Sequence, residues 1–259
     1  MGSGPVVFLT GATSGLGEAL ARHYASHGAT LGLFARREAE LLRVSTGFEP
    51  SRFATYAGDV RDAGALTRAG ADFMSRFGVP DIVIGNAGVS RGTLTQLAED
   101  VAAFRAVLET NVLGLVHTFQ PFLQPMLDAK RGAVVGIASV AGFRGIPGSG
   151  AYSGSKAAAI AYLESLRVEL RGSGVAVVTV CPGYIATPMT AKNPYRMPFL
   201  LAPDKAARLV ARAIERRRRF YVLPWPMALV GRVLRVLPRW IFDRAFAKAK
   251  RKPRQPGVD

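Results

Sequence analysis

The amino-acid sequence predicts an α/β fold in which a doubly wound parallel sheet of about seven strands carries helices on both faces. Short runs rich in Val, Ile, Leu and Phe recur along the chain, and most precede a helical pattern of about ten residues or more. The runs are apolar throughout rather than alternating, which is typical of strands buried on both faces. The predicted strands cover residues 6–9, 30–34, 53–57, 81–84, 132–138, 175–180 and 220–223.

Predicted helices fill the intervals between these strands. They cover residues 15–27, 36–45, 63–77, 98–127, 151–171 and 203–216. We expect Pro121 and Pro125 to interrupt the long fourth helix, because proline removes a backbone donor. The regular alternation leaves no gap for a domain boundary before about residue 224. We therefore predict one catalytic domain over residues 1–223 and a basic extension over residues 224–259.

Composition favours a folded protein of a reducing compartment. Hydrophobic residues make up 49% of the chain and charged residues 20%, as in globular proteins. Cys181 is the single cysteine, so no intrachain disulfide can form, and the first residues lack the pattern of a secretory signal. We expect a cytoplasmic protein. His23, His27 and His117 stand apart on predicted helices, so we expect no metal site.

A glycine-rich turn joins the first predicted strand to the first helix, where residues 10–17 read TGATSGLG. Gly11 permits a tight turn. Gly15 and Gly17 let backbone N–H groups and the helix N-terminus approach a diphosphate without a Cβ in the way. This position between a strand and a helix favours a Rossmann-type dinucleotide site. The residues predicted to line it are Gly11, Thr13, Ser14, Gly15, Leu16 and Gly17.

The end of the second predicted strand indicates which dinucleotide binds. An acidic residue there would bond to the ribose hydroxyls of NAD, whereas an arginine accommodates the 2′-phosphate of NADP. Here Arg36 and Arg37 follow the strand, and no carboxylate precedes Glu38. They could instead be solvated residues at a helix start, but the positive end of a helix dipole disfavours basic side chains. We expect NADP(H), with Asp59 bonding to the adenine amino group and Val60 packing on its ring.

A tyrosine and a lysine lie four residues apart, at Tyr152 and Lys156, so on a helix they share one face. A tyrosine pKa near 10 is too high for easy proton exchange at neutral pH, and a nearby ammonium should lower it. Such a pair suits general acid–base chemistry. Ser139, at the end of the fifth predicted strand, could bond to a substrate oxygen at the same sheet edge. By spacing alone, however, this pair is more often a solvated helix face.

Together these motifs resemble those of short-chain dehydrogenases/reductases of the small, single-domain type, over residues 5 to about 223. The matching features are the turn at 10–17, Asn86-Ala87-Gly88 after the fourth strand, Asn111, Ser139, Tyr152, Lys156, Pro182-Gly183 and Thr187. Gly85 departs from the family pattern, which often has a second Asn there. We expect little consequence, because Asn86 is present.

The resemblance implies a role for each matching residue. Tyr152 donates the proton in reduction, Ser139 orients the carbonyl, and Lys156 holds the nicotinamide ribose and tunes Tyr152. Asn111, at a kink in its helix, helps to hold a water that relays protons to Lys156. The residues implied to back the cofactor or to shape the nicotinamide pocket are Asn86, Ala87, Gly88, Pro182, Gly183, Ile185 and Thr187.

The family comparison also narrows the reaction. The four-residue Tyr–Lys spacing points to C=O/CH–OH chemistry, and a strand ending in Ala-Arg points to NADP(H). We expect an NADP(H)-dependent oxidoreductase of carbonyls or alcohols that forms a homo-oligomer, either a dimer or a tetramer. Two alternatives stay open. One is a 3-oxoacyl-thioester reductase whose basic surface docks an acidic carrier protein, and the other is a cofactor-binding scaffold without turnover.

The segment after the sixth strand, residues 188–202, predicts a lipophilic substrate. In this family it usually covers the substrate, and here it is rich in apolar side chains. The same side chains could equally pack on the edge of the sheet. The predicted substrate-binding residues are Ser139, Tyr152 and Met189.

The C-terminal region concentrates the positive charge. The chain has a net charge of +16, and residues 216–259 contribute +11 from 13 Lys or Arg and 2 Asp or Glu. An apolar stripe is predicted here, flanked by arginines and by Trp225 and Trp240, as in a helix that lies on an anionic membrane. The stripe consists of Met227, Val230, Leu234, Leu237 and Ile241. It could instead form a substrate lid, a subunit interface or a site for an acidic protein. The basic residues carry no nucleic-acid reader motif, so we expect no nucleic acid to bind.

Overall fold

The computed structural model describes residues 4–191, 193–249 and 251–254. Its strands are β1 (Val6–Thr10), β2 (Thr30–Ala35), β3 (Phe53–Ala57), β4 (Ile82–Gly85), β5 (Ala133–Ile137), β6 (Ala176–Pro182) and β7 (Phe220–Leu223). They form one sheet in the order β3-β2-β1-β4-β5-β6-β7, with every neighbouring pair parallel. The predicted α/β fold class, a Rossmann-type doubly wound sheet, is confirmed.

The helices follow the strands much as the sequence predicts. They are α1 (Gly15–Ser26), α2 (Glu38–Ser45), α3 (Ala63–Phe77), α4 (Asp100–Leu108), α5 (Gly114–Asp128), α6 (Gly150–Glu169), α7 (Pro188–Ala191), α8 (Pro203–Glu215), α9 (Trp225–Val236) and α10 (Arg239–Phe246). Helix α3 and the strands β3 and β7 have the predicted bounds, and the other matched elements differ by a few residues at their ends.

Two apolar layers enclose the sheet. On one face α1 and α8 pack together over the strands, and Leu20 and Val210 are completely buried there. On the other face α3, α5 and α6 bury Phe73 and Phe119. Both faces of the sheet are therefore dry, which explains why every residue of β5 is buried and apolar or glycine.

The long helix predicted over residues 98–127 is interrupted at Asn111, where the family resemblance implies a kink, and not at the two prolines. Pro121 and Pro125 both lie inside α5, which continues past them. The interruption is a π-helical turn at Glu109–Leu113, between α4 and α5. Packing of Phe119 and Phe122 against the sheet keeps α5 intact despite the lost backbone donors. The prediction of a break at the prolines was therefore wrong. The extra residue of a π turn leaves no signature in hydrophobic spacing, so only the family resemblance indicated the kink at Asn111.

The C-terminal region forms two helices rather than one, because α9 ends before Pro238. Helix α9 packs on the site end of the sheet, where Gly231 lies against the ring of Phe143. The guanidinium of Arg144 donates hydrogen bonds of 3.1 Å to the carbonyl oxygens of Leu234 and Leu237. In the part of the chain that the structure describes, no helix is both long and apolar enough to cross a membrane.

Only part of the predicted apolar stripe faces outward. Met227 is buried, and Leu234, Leu237 and Ile241 are half-buried against the protein, whereas Val230 is exposed. The side chains that α9 and α10 expose most are a different set, namely Trp225, Leu229, Val233, Val236 and Trp240. The region thus has two apolar faces, because α9 packs on the domain with one of them. The division of the chain at residues 223 and 224 into domain and extension stays a prediction.

Candidate functional site

The candidate site is a cleft at the carboxyl ends of the central strands. All of the residues predicted to bind the cofactor line this cleft, and so do the predicted substrate residues Ser139, Tyr152 and Met189. Asn111 is buried and does not line it. The predicted roles of these residues stay predictions, and what the structure adds is their arrangement. Parallel strands bring their following loops to one edge of the sheet, so motifs distant in sequence meet there.

The glycine turn has the backbone that the sequence argument requires. Gly11 and Gly15 have φ angles of +69° and +56°, in the left-handed region that favours glycine. A Cβ on Gly17 would overlap the carbonyl oxygen of Gly11. The side chain of Asn86, at the end of β4, donates hydrogen bonds of 3.1 Å to the carbonyl oxygens of Thr10 and Gly11. The turn is therefore fixed from behind, with the N-terminus of α1 facing the cleft.

Arg36 and Arg37 lie in the loop between β2 and α2, since the helix begins only at Glu38. Both side chains are exposed, and within the described residues neither makes a hydrogen bond or an ion pair. Asp59, in contrast, is already engaged, because its carboxylate accepts bonds of 3.0 and 2.7 Å from the guanidinium of Arg61. The arrangement leaves two cations available to an anion at the rim of the cleft.

Tyr152 and Lys156 stand on α6, with the lysine Nζ 5.9 Å from the centre of the tyrosine ring. Nζ donates a hydrogen bond of 2.7 Å to the carbonyl oxygen of Ile137 at the end of β5. Ser139 follows that strand and accepts a bond of 3.1 Å from the backbone N–H of Ala141, which fixes its hydroxyl beside α6. The pair is therefore not a solvated helix face: Lys156 is buried and Tyr152 is half-buried.

Burial governs the proton affinities of this pair. It raises the pKa of the Tyr152 phenol, and a hydrogen bond with the Ser139 side chain opposes that rise only in part. Burial also lowers the pKa of Lys156 to about 8. The pKa of Tyr152 is thus raised in this structure and not lowered as expected, and the contribution that opposes the rise is the hydrogen bond with Ser139. A phenol that stays protonated at neutral pH is suited to donate a proton.

Asn111 lies in the π turn and joins three parts of the site. Its amide group donates hydrogen bonds of 2.9 Å to the carbonyl oxygen of Val89 and to the hydroxyl of Ser155, and its oxygen accepts one of 2.8 Å from the N–H of Val89. The Ser155 hydroxyl in turn donates to the carbonyl oxygen of Tyr152. The irregular helix therefore ties the loop after β4 to the catalytic helix. Sequence reasoning did not single out Ser155.

The loop after β6 closes the far end of the cleft. Gly183 is packed against Met227 of α9, and Thr187 contacts the glycine turn at Gly15. The hydroxyl of Thr190, which was not predicted, donates a 2.6 Å bond to the carbonyl oxygen of Ile185 and so fixes this loop. Cys181 is buried, and burial raises its pKa to about 12, so its thiol stays protonated.

The apolar segment beyond this loop faces two ways. Phe199 and Leu200 are exposed, while Leu201 is buried and its backbone pairs with Ile185. Met189 is 38% exposed and lines the cleft. Leu201 therefore packs against the fold, as one of the two expectations has it, whereas contact of Met189 with the substrate stays a prediction.

The largest feature absent from the sequence argument is the return of residues 251–254, here called the C-terminal strap, to the site. Arg254 forms an ion pair with the buried carboxylate of Asp100 and a second one with Glu99. Lys252 lies beside Tyr152, with its Nζ 5.9 Å from the ring centre. No local sequence pattern predicts these contacts, since they join residues that are 100 to 155 positions apart.

Comparisons with known proteins agree with this geometry. The chain matches the family model described as short chain dehydrogenase over residues 5–197. An uncharacterized oxidoreductase of Myxococcus xanthus strain DK1622 is 37% identical over 244 residues, covering 93% of this chain and 96% of that protein. Dehydrogenase/reductase SDR family member 7B of Bos taurus is 32% identical over 277 aligned positions, covering 96% of this chain and 82% of that protein.

A solved structure is similar over nearly the whole length. The crystal structure of a short chain dehydrogenase from Burkholderia cenocepacia J2315 in complex with NADP superposes with a TM-score of 0.81 at 26% sequence identity, over 94% of this chain and 98% of that chain. The chain therefore belongs to the short-chain dehydrogenase family and is an oxidoreductase.

Proposed function

We propose that the protein is an NADP(H)-dependent oxidoreductase that interconverts a carbonyl group and an alcohol. One observation carries the proposal: Ser139, Tyr152 and Lys156 line the same cleft as the glycine turn. A cofactor on the turn and a substrate beside the tyrosine would then share one cavity. Neither a structural helix face nor a scaffold without turnover needs a buried lysine bonded to Ile137 at this position.

The residues of this chain would divide the work of the reaction. Bound NADPH supplies the hydride to the carbonyl carbon. As negative charge grows on the carbonyl oxygen, the protonated Tyr152 phenol donates its proton to it, because an alkoxide oxygen is a stronger base than a phenolate. The Ser139 hydroxyl donates a hydrogen bond to the same oxygen and holds it toward Tyr152. Lys156 would hold the ribose hydroxyls of the cofactor.

Two observations support NADP(H) over NAD(H). Arg36 and Arg37 are exposed at the rim of the cleft without partners among the described residues, and their geometry suits a 2′-phosphate. The structurally similar dehydrogenase from Burkholderia cenocepacia was crystallised in complex with NADP. The cofactor would lie with its diphosphate on the N-terminus of α1 and its adenine near Val60.

The substrate is proposed to be lipophilic, because Met189 lines the cleft and the neighbouring Phe199 and Leu200 are exposed. A screen of ketones and aldehydes that follows NADPH absorbance would test this. It should include a 3-oxoacyl chain on its carrier protein, because faster turnover of that substrate than of free ketones would favour the alternative of a carrier-dependent reductase.

Tyr152→Phe tests the mechanism. The variant should bind NADPH nearly as the parent does and lose roughly 10²- to 10⁴-fold in turnover, since positioned proton transfer is worth about that much. Tyr162→Phe, on the same helix but outside the cleft, is the matched control. A Tyr152→Phe enzyme with full activity would show that the proton comes from elsewhere.

We also propose that α9 and α10 bring the enzyme to anionic membranes. Trp225, Leu229, Val233 and Val236 recur at helical spacing on one face of α9, and three of these side chains are at least 60% exposed. Arg232 falls on the same face, and further exposed arginines follow on α10. Exposed tryptophans among arginines are typical of helices that lie in a membrane interface. The protein would then be cytoplasmic and peripheral on the inner face of a membrane.

Co-sedimentation with liposomes tests this surface. The intact protein should pellet with anionic liposomes at low salt and much less with neutral ones, because each basic residue near an anionic surface contributes about 1 kcal/mol. Trp225→Ser combined with Val236→Ser should reduce binding, whereas Val168→Ser on α6, also exposed but far in sequence, should not. If the double variant pellets unchanged, this face is not the one that binds. Light scattering of the same samples would report whether the protein is a dimer or a tetramer.

A further inference from the structure

The C-terminal strap is held in place by its last described residue. Arg254 donates hydrogen bonds of 2.9 to 3.3 Å to both carboxylate oxygens of Asp100, which is only 2% exposed, and one of 2.9 Å to Glu99. The backbone at Arg254 also pairs with Gly92 in a parallel bridge. A Cβ on Gly92 would collide with the strap carbonyl oxygens of Lys252 and Pro253, so glycine makes room for the strap. These contacts fix the backbone from Lys252 to Arg254.

Lys252 points from the strap to the catalytic tyrosine. Its Nζ donates a hydrogen bond of 2.7 Å to the hydroxyl of Ser90, in the loop after β4, and lies 5.9 Å from the centre of the Tyr152 ring. The side chain is half-buried. Within the described residues, no carboxylate lies within 4 Å of this ammonium. The strap therefore brings an unneutralised positive charge to 5.9 Å from the centre of the Tyr152 ring, next to the cleft that Tyr152 lines, although Lys252 itself is not among the lining residues.

This charge has no evident structural purpose. Arg254 already supplies the ion pairs that hold the strap, so a neutral residue at position 252 would serve equally well for packing. Burying an ammonium without an anionic partner is unfavourable, and one neutral hydroxyl compensates only in part. Lys156 differs, because its ammonium donates a hydrogen bond to the carbonyl oxygen of Ile137 and is implied to serve the cofactor. An anion that arrives with the substrate would compensate the charge of Lys252.

We propose that Lys252 binds an anionic group of the substrate, so that the preferred carbonyl compounds carry a carboxylate or a phosphate a few bonds from the reacting carbon. The inference rests on the proposed function, since it names the substrate class for the same site. The substrate would then have an apolar part and an anionic end, and Lys252 would be a specificity-determining residue that lies outside the catalytic helix.

Matched substrate pairs test the inference. The probes are oxo-octanoic acids with the carbonyl at successive positions, each beside its methyl ester, and oxoalkyl phosphates beside their dimethyl esters. At the best spacing the parent enzyme should prefer the anion over its ester by roughly 10- to 150-fold in kcat/KM, mostly through KM, as for a hydrogen bond to a charged group. The carboxylate and phosphate series then distinguish the two kinds of anion.

Three variants assign this preference to Lys252. Lys252→Met should bring the kcat/KM values of each anion and its ester close to parity, while Lys252→Arg should keep much of the preference for the anion. Lys248→Met removes an exposed lysine four residues earlier and should change nothing. The inference is overturned if the parent shows no preference, if Lys252→Met keeps it, or if Lys252→Met accelerates all substrates alike. The last result would mean that the lysine obstructs the site.

A binding measurement separates this inference from the proposed function. Calorimetric titration of the NADPH-saturated Tyr152→Phe protein with the same pairs reports affinity without turnover. Tighter binding of the anions than of the esters supports the role of Lys252 even if the parent reduces none of the probes, an outcome that would count against the proposed reaction alone. Equal binding of anion and ester overturns the role of Lys252 whatever the enzyme reduces.

Discussion

Arg36→Ala should weaken the binding of NADPH and leave that of NADH almost unchanged. Arg36 is exposed just beyond β2 and makes no hydrogen bond or ion pair with any residue that the structure describes. Its removal should therefore change the free energy of unfolding by no more than about 0.5 kcal/mol, as for other surface substitutions. Any larger effect must come from the ligand, which makes this position a clean test of how the cofactor is chosen.

The magnitude follows from the exposure of the guanidinium. A hydrogen bond to a charged group contributes about 1.5–3 kcal/mol, and solvent around an exposed side chain favours the lower part of this range. A loss of about 1.5–2 kcal/mol raises the Kd for NADPH roughly 10- to 30-fold. Because the attraction is between exposed charges, the difference between parent and variant should shrink as the salt concentration rises.

Fluorescence titration with NADPH and NADH at low and high salt measures all of these quantities. Arg216→Ala is the matched control, because it removes the same charge from an exposed position outside the cleft. Two results would refute the reasoning: an Arg36→Ala protein that loses affinity for NADH as much as for NADPH, or a parent that binds both cofactors equally well.

Two further predictions concern the supports of the site. Gly17→Ala should lower the free energy of unfolding by about 1–3 kcal/mol and weaken the binding of both NADPH and NADH, because the new Cβ would overlap the Gly11 carbonyl oxygen. A calorimetric Tm equal to that of the parent would contradict this prediction. Arg254 holds the pKa of Asp100 below its ordinary value of 3.8, so the ion pair stabilises the fold fully above that pH and progressively less as the pH falls below it. The Tm difference between the parent and Asp100→Asn should therefore be largest near neutral pH and shrink toward pH 3, and a difference independent of pH would argue against the pair.

The fold was predictable because its signals are local. Continuous apolar runs followed by amphipathic helices gave the bounds of β3, β7 and α3 without error. The place of the break in the long helix was not predictable from local signals, and only the family resemblance indicated it, through the kink expected at Asn111. Pro121 and Pro125 weaken a helix locally, but burial of the neighbouring phenylalanines holds α5 together, and only tertiary packing decides between the two effects.

The sequence predicted which residues line the site, but not how their surroundings change their pKa values. The family motifs identified the residues that line the cleft, but the pKa of Tyr152 depends on how much water the surrounding loops exclude. The C-terminal strap shows the same limit more strongly. Nothing in the spacing of Lys252 and Arg254 indicates that they meet Ser90 and Asp100, because those contacts depend on where α9 and α10 direct the chain.

The contact between Arg254 and Asp100 closes a loop of 154 residues, so it can form only after most of the chain has been synthesised. The sheet and the catalytic helix have all their strands and core contacts without it, which allows the domain to fold first and the strap to dock afterwards. Lys252 can therefore vary while Arg254 keeps the strap docked and the core keeps its contacts. This separation would allow natural selection or protein engineering to change the substrate specificity of the enzyme while its catalytic mechanism is kept.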